Sequence, residues 1–97
     1  MNNESLIIEF LEFLNKEKKY SKHTTRSYKY DLGQFSQFLK SYDTNISFID
    51  IDKTAIQFFI QKLSKSSISE KTLLRRIASI KSFYKYLTSN NIIFYNI

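Results

Sequence analysis

Across 97 residues the chain has one glycine, Gly33, and no proline. These are the residues that β-rich folds spend on tight turns, so the sequence favours helices joined by short polar connectors. The apolar residues support this, because they recur at helical spacing in four segments. The first segment runs from about Glu4 to Lys18, with Leu6, Phe10, Phe13 and Leu14 on one face. The second runs from about Lys22 to Ser41, with Tyr28, Leu32, Phe35, Leu39 and Tyr42 in a stripe. The third runs from about Lys53 to Leu63 (Ile56, Phe59, Ile60 and Leu63 inward), and the fourth from about Glu70 to Thr88 (Leu73, Leu74, Ile77, Ile80, Tyr84 and Leu87 inward). Ser21, Asp52 and Ser69 stand where N-caps belong, since each carries an oxygen able to accept an unpaired backbone N–H of the first turn. The expected architecture is all-α, a compact bundle of four helices in a single domain spanning 1–97. A short fifth helical turn is possible in the tail, at Ile92, Ile93 and Phe94.

Aromatic residues make up 16% of the chain. Phe10, Phe13, Phe35, Phe38, Phe58, Phe59 and Phe83 sit beside aliphatic residues at helical spacing and are read as core. Phe48 and Ile51 are expected to tuck inward from the connector "SYDTNISFID". Tyr30 and Tyr86 lie off the apolar stripes and are the tyrosines expected at the surface.

Several functions can be set aside. There is no cysteine, so disulfides and thiolate metal sites are excluded, and a reducing cytoplasm is the expected compartment. The N-terminal stretch lacks a basic segment followed by a long apolar core, so no signal peptide is read. Its apolar run is broken by Glu9 and Glu12, so no membrane span is expected. The lone histidine, His23, cannot build a metal site by itself, and no cofactor is expected. Asp50 and Asp52 are close in sequence, but Asp52 is taken up by capping.

The net charge of +6 and pI near 9.6 suggest a polyanionic partner, most often nucleic acid. The cations are not scattered evenly. The second helix opens "YSKHTTRSY" and the fourth "ISEKTLLRR". Each reads as an apolar or aromatic residue, Ser, two polar residues, then Thr, with Arg within four residues. A helix N-terminus presents unpaired N–H groups and partial positive charge to a phosphate. Arg and Lys a turn or two further on can reach base edges or flanking phosphates from a major groove. At about 100° per residue, Lys71, Arg75, Ser79 and Ser82 fall opposite the Leu73/Ile77/Tyr84 stripe, with Arg76, Lys81 and Lys85 on the flanks. On the second helix His23, Arg26, Tyr30 and Gly33 fall opposite Tyr28/Leu32/Leu39, flanked by Ser27 and Lys29. Pattern alone leaves two readings open: a solvated basic back, or a surface that reads DNA.

The stretch "LEFLNKEKKYSKHTTRSYKYDLGQFSQFL", followed by "ISEKTLLRRIASIKSFYKYL", resembles the N-terminal core-binding domain of tyrosine recombinases of the Xer and phage-integrase group. Ser21, Thr24, Tyr28, Asp31, Leu32, Phe35 and Leu39 carry the first block. Ser69, Thr72, Arg75 or Arg76, Ile77, Ile80, Lys81, Phe83, Tyr84 and Leu87 carry the second. The likeness runs from about Leu6 to Asn96. It implies a SAM-like bundle of two crossed helical hairpins, with the second and fourth helices in the major groove of double-stranded DNA near the crossover site. The implied contacts are Lys22, His23, Thr24, Arg26 and Ser27 on the second helix, and Lys71, Thr72, Arg75, Arg76 and Ser79 on the fourth. Lys81 and Lys85 are implied as phosphate partners, and the first helix as a contact between recombinase protomers. Arg75→Ala and Lys71→Ala are expected to weaken DNA binding without unfolding the domain.

The resemblance places the catalytic tyrosine and its Arg, Lys and His helpers in a separate C-terminal domain outside these residues. His23-Thr24-Thr25-Arg26 copies the H-x-x-R spacing of that site but lies within the DNA-binding block, so this chain is not expected to be catalytic. Gly33 stands where the family has a larger polar residue. "YNI" replaces the Asn-Pro that enters the interdomain linker, so the C-terminal boundary stays open. The competing reading is a helical protein-interaction module whose basic face meets an acidic protein.

Overall fold

The structure, a computed structural model, describes residues 2–42 and 45–93. Four helices follow in order: α1 (Asn3–Lys16), α2 (Lys22–Lys40), α3 (Lys53–Ser64) and α4 (Glu70–Ser89), with a 3-10 turn at Phe48–Asp50 between α2 and α3. No strand occurs among the described residues.

Local chemistry sets the helix ends. Ser21 Oγ accepts the Thr24 N–H at 3.2 Å, Asp52 Oδ1 the Ala55 N–H at 3.2 Å, and Ser69 Oγ the Thr72 N–H at 3.2 Å. Asn2 does the same for α1, accepting from Ser5 at 2.8 Å. α4 stops through a left-handed residue, Asn91 (φ 58°). The Asn91 N–H then bonds Thr88 O at 3.1 Å and the Ile92 N–H bonds Leu87 O at 2.9 Å, the paired closure that satisfies the last carbonyls of a helix. That turn swings Ile93 back into the core. The proposed fifth helical turn does not form at 90–93, and the rest of it, Phe94 included, lies outside the described residues.

α2 packs on α1 and on α4, and α3 packs on α4. One continuous core results, from Leu6, Phe10 and Leu14 of α1 through Leu32, Phe35 and Leu39 of α2 to Ile80, Phe83, Tyr84 and Leu87 of α4. Ile56, Phe59 and Leu63 of α3 close it from one side. The long connector is tied down as its apolar residues suggested, with Phe48 and Ile51 buried. Asn3 holds it at two points, donating from Nδ2 to Ile46 O at 3.0 Å and accepting the Phe48 N–H on Oδ1 at 2.8 Å. The buried Tyr84 hydroxyl donates to Phe48 O at 2.9 Å.

Four residues read from the sequence sit elsewhere. Phe58 is 60% exposed, Leu74 58% and Tyr42 71%, although all three were expected inside. Phe58 and Leu74 each stand beside another large apolar residue, Phe59 and Leu73. Neighbours on a helix point about 100° apart; Phe59 falls on the packed arc of α3 and Leu73 at the margin of that of α4, which leaves Phe58 and Leu74 facing out. Tyr42 lies past the end of α2 and rests edge-on against Phe38, 5.1 Å between centroids. Tyr86, expected outside, packs instead against Phe10 and Phe13, with centroids 5.2 and 5.0 Å away. Burial raises its phenol pKa, and Glu9 and Glu12 push it further in the same direction.

Gly33 lies in the middle of α2 with ordinary helical backbone, and an added Cβ would meet nothing within 4 Å. Gly33→Ala is therefore expected to raise stability by about 1 kcal/mol, the helix-propensity difference between the two residues. A urea midpoint that does not rise would show that the site needs glycine for another reason.

Candidate nucleic-acid interface

The two similar sequence blocks become two similar helix starts. In α2, Ser21 caps Thr24 and the two hydroxyls lie 3.1 Å apart. In α4, Ser69 caps Thr72 and donates to its hydroxyl at 3.0 Å. Lys22, His23, Thr24 and Arg26 are exposed on the first turns of α2. Ser27 is half-buried and donates back to His23 O at 3.2 Å. On α4, Lys71 is exposed and Thr72 half-buried.

Where the helices meet, Asp31 of α2 is buried to 1% and surrounded by donors from α4. Arg75 grips it with both edges of its fork, Nη2 to Oδ1 at 2.8 Å and Nε to Oδ2 at 3.2 Å. Ser79 Oγ donates to Oδ2 at 2.8 Å. Arg76 Nε stands 3.7 Å from Oδ1, and its guanidinium lies over the Tyr30 ring at 5.3 Å. Two cations against one carboxylate leave this seam positive. The Arg75 pKa is raised above its ordinary value, first by the hydrogen bonds to Asp31. Burial opposes this, and the electrostatic attraction of Asp31 and Tyr30 adds to it.

This cluster changes the placement of three expected contacts. Ser79, read as facing a groove, is 4% exposed and its hydroxyl is used by Asp31. Arg76 has only 12% of its side chain exposed, so its guanidinium faces Tyr30 and Asp31 rather than open solvent. Arg75 keeps 46% of its side chain exposed. The two N–H groups on Nη1 take no part in its fork with Asp31.

The wheel reading missed because the buried arc of α4 centres on Ile80, Phe83, Tyr84 and Leu87 and extends to Ser79, while Leu73 and Ile77 stand at its margin. The exposed stripe turns with it. Lys71, Leu74, Ala78, Lys81 and Lys85 are all exposed, spaced three and four residues apart along one face. Lys81 and Lys85, read as flanks, thus share the face of Lys71, with Arg75 beside it. Lys85 also lines a cavity of about 290 Å³ with Phe13, Tyr28 and, from the connector between α1 and α2, Lys18 and Tyr20.

The sequence reading assigned no role to Asp31. Its signal was present: one acidic residue in the α2 stripe, next to Leu32 and between Tyr28 and Phe35, in an otherwise basic helix. Among the described residues no group of His, Asp and Glu could hold a metal ion. No helix among them is long and apolar enough to cross a membrane.

Residues 7–91 match the family model described as the phage integrase N-terminal SAM-like domain. The chain is 33% identical over 87 residues to tyrosine recombinase XerC of Lacticaseibacillus casei, covering 90% of this chain and 29% of that protein. It is 35% identical to tyrosine recombinase XerD of Oceanobacillus iheyensis, over 92% and 30% of the two chains. It is 39% identical to a putative tyrosine recombinase of Caldanaerobacter subterraneus, over 87% and 28%. The chain therefore spans about three-tenths of the length of the curated relatives it matches. No solved structure matches. An all-helical fold with the capped basic starts of α2 and α4, matched along nearly its whole length, makes this chain a member of the phage integrase N-terminal SAM-like domain family.

Proposed function

We propose that this chain is the DNA-binding, core-binding domain of a tyrosine recombinase, gripping the major groove near the crossover site with α2 and α4. The observation that carries the reading is that α2 and α4, each with a capped basic start, are locked together by the Asp31–Arg75 pair in a member of this family. Lys22, His23, Thr24 and Arg26 on α2, and Lys71, Lys81, Lys85 and the free edge of Arg75 on α4, form the positive surface. Ser27 and Thr72 contribute through their helix starts. Arg76 and Ser79 contribute by shaping the seam. Residues 1–97 act as one unit, and the chemistry of strand cleavage belongs to a separate catalytic domain, in a cytoplasmic protein. Other recombinase protomers are the protein partners, and the outer face of α1, where Ile8 is 55% exposed, is the surface offered to them.

Charge-driven binding has a direct signature. Neutralising phosphates releases counterions, so log affinity falls linearly with log salt, by about 0.9 per phosphate contact. Lys71→Ala and Lys85→Ala should each lower that slope by about 0.9 while leaving the thermal unfolding curve in place, since both residues are exposed. A gel-shift or anisotropy titration of duplex DNA against salt is the test. An acidic protein partner bound in place of DNA, with chemical-shift changes on α1 and α3, would favour the interaction-module reading.

A further inference from the structure

The basic face of α4 contains one large apolar side chain. Leu74 is 58% exposed and sits between Lys71 and Ala78 on the stripe that continues to Lys81 and Lys85, with the exposed half of Arg75 as its neighbour. It takes no share in the core, which α4 reaches through Ile80, Phe83, Tyr84 and Leu87. Leucine suits a helix, but here its side chain adds nothing to the core and stands among cations, and Ala78 one turn on keeps its surroundings low. Cations on this stripe attract phosphates and set the helix in a groove, but phosphate contacts carry no sequence information. In the major groove the one apolar feature on a base edge is the C5-methyl group of thymine.

On the reading of α4 as a groove helix, we infer that Leu74 is a specificity-determining residue that packs against a thymine methyl. Lys71 and Lys85 would fix the register on the backbone, and Leu74 would report a T at one position of the site. The occupant follows from charge: an apolar spot ringed by lysines suits a methyl on a polyanion and repels a second copy of this equally basic face.

The test is to select a duplex from a randomised pool with this chain, then replace each thymine singly by uracil, which removes only the methyl. Wild type should lose roughly fourfold in affinity at one position, the worth of one buried carbon. Leu74→Ala should bind the T and U forms at that position alike, with an unchanged salt slope and unchanged melting. Wild-type binding that is salt-dependent but indifferent to every T-to-U change overturns the inference and leaves the DNA-binding reading standing. So does a Leu74→Ala chain that keeps the wild-type methyl response. Failure to bind any duplex at low salt overturns both. Loss of self-association in Leu74→Ala, with methyl sensitivity absent, would identify the spot as a contact between copies and overturn it as well.

Discussion

Arg75→Ala is expected to lower unfolding free energy by about 3 kcal/mol, the low end of what breaking a buried ion pair costs. The asymmetry of the pair decides this. Asp31 is 1% exposed, whereas 46% of the Arg75 side chain reaches solvent. Remove the arginine and the carboxylate loses both bonds of the fork, left with Ser79 at 2.8 Å and Arg76 at 3.7 Å. Those two partners keep the cost at the low end. Removing the charge as well should restore most of the loss, so Asp31→Leu with Arg75→Met is expected to be markedly more stable than Arg75→Ala, because apolar replacement of a whole buried pair is often neutral. Urea denaturation of the two variants measures both. A wild-type midpoint for Arg75→Ala would mean that Asp31 escapes to water or that Arg76 fully replaces its partner. The consequence for function is practical. The expectation that Arg75→Ala leaves the fold intact does not fit this geometry, so loss of DNA binding in that variant would mix unfolding with lost contact. Lys71 and Lys85 are the cleaner probes.

Phe83→Ala should cost about 3–5 kcal/mol, the range for emptying a large aromatic site in a close-packed core. Phe83 is fully buried and meets Phe10 of α1 at 5.3 Å, Phe48 of the connector at 5.1 Å and Tyr84 at 5.5 Å between centroids. Two separate segments, α1 and the connector, close on this ring beside its own neighbour Tyr84, so neither can collapse into the hole without disturbing the other. Phe58→Ala is the control: at 60% exposure it is expected to change stability by about 0.5 kcal/mol or less. Equal losses for the two phenylalanines in chemical denaturation would contradict the placement of the core.

Much of this was legible along the chain because it depends on neighbours in sequence. The starts of α2, α3 and α4 fall at the residues expected from Ser21, Asp52 and Ser69, since a cap is a bond between a side chain and a backbone N–H three residues on. Phe35, Leu39, Ile80 and Leu87 were identified as core because each sits at the centre of its stripe. The margins of the stripes were harder. Whether Leu73 or Leu74, Phe58 or Phe59, is the one that goes in depends on which helix lies opposite, and a helical wheel carries no partner. The same gap hid the role of Asp31. Its donors lie 44 and 48 residues further along the chain, a distance that no local spacing can bridge.

By itself, then, the order of residues determined four capped helices, their apolar faces and the concentration of cations at two helix starts, all set by contacts within a turn or so. Tertiary structure alone decided that α2 and α4 meet through a buried carboxylate. That meeting draws Ser79 and Arg76 inward, leaves Arg75 half in solvent, and rotates Leu74 to the outside with Lys71, Lys81 and Lys85. The reason is that burying Asp31 demands compensating donors. Only the docking of α4 against α2 could supply them, and that docking set which face of α4 remained free.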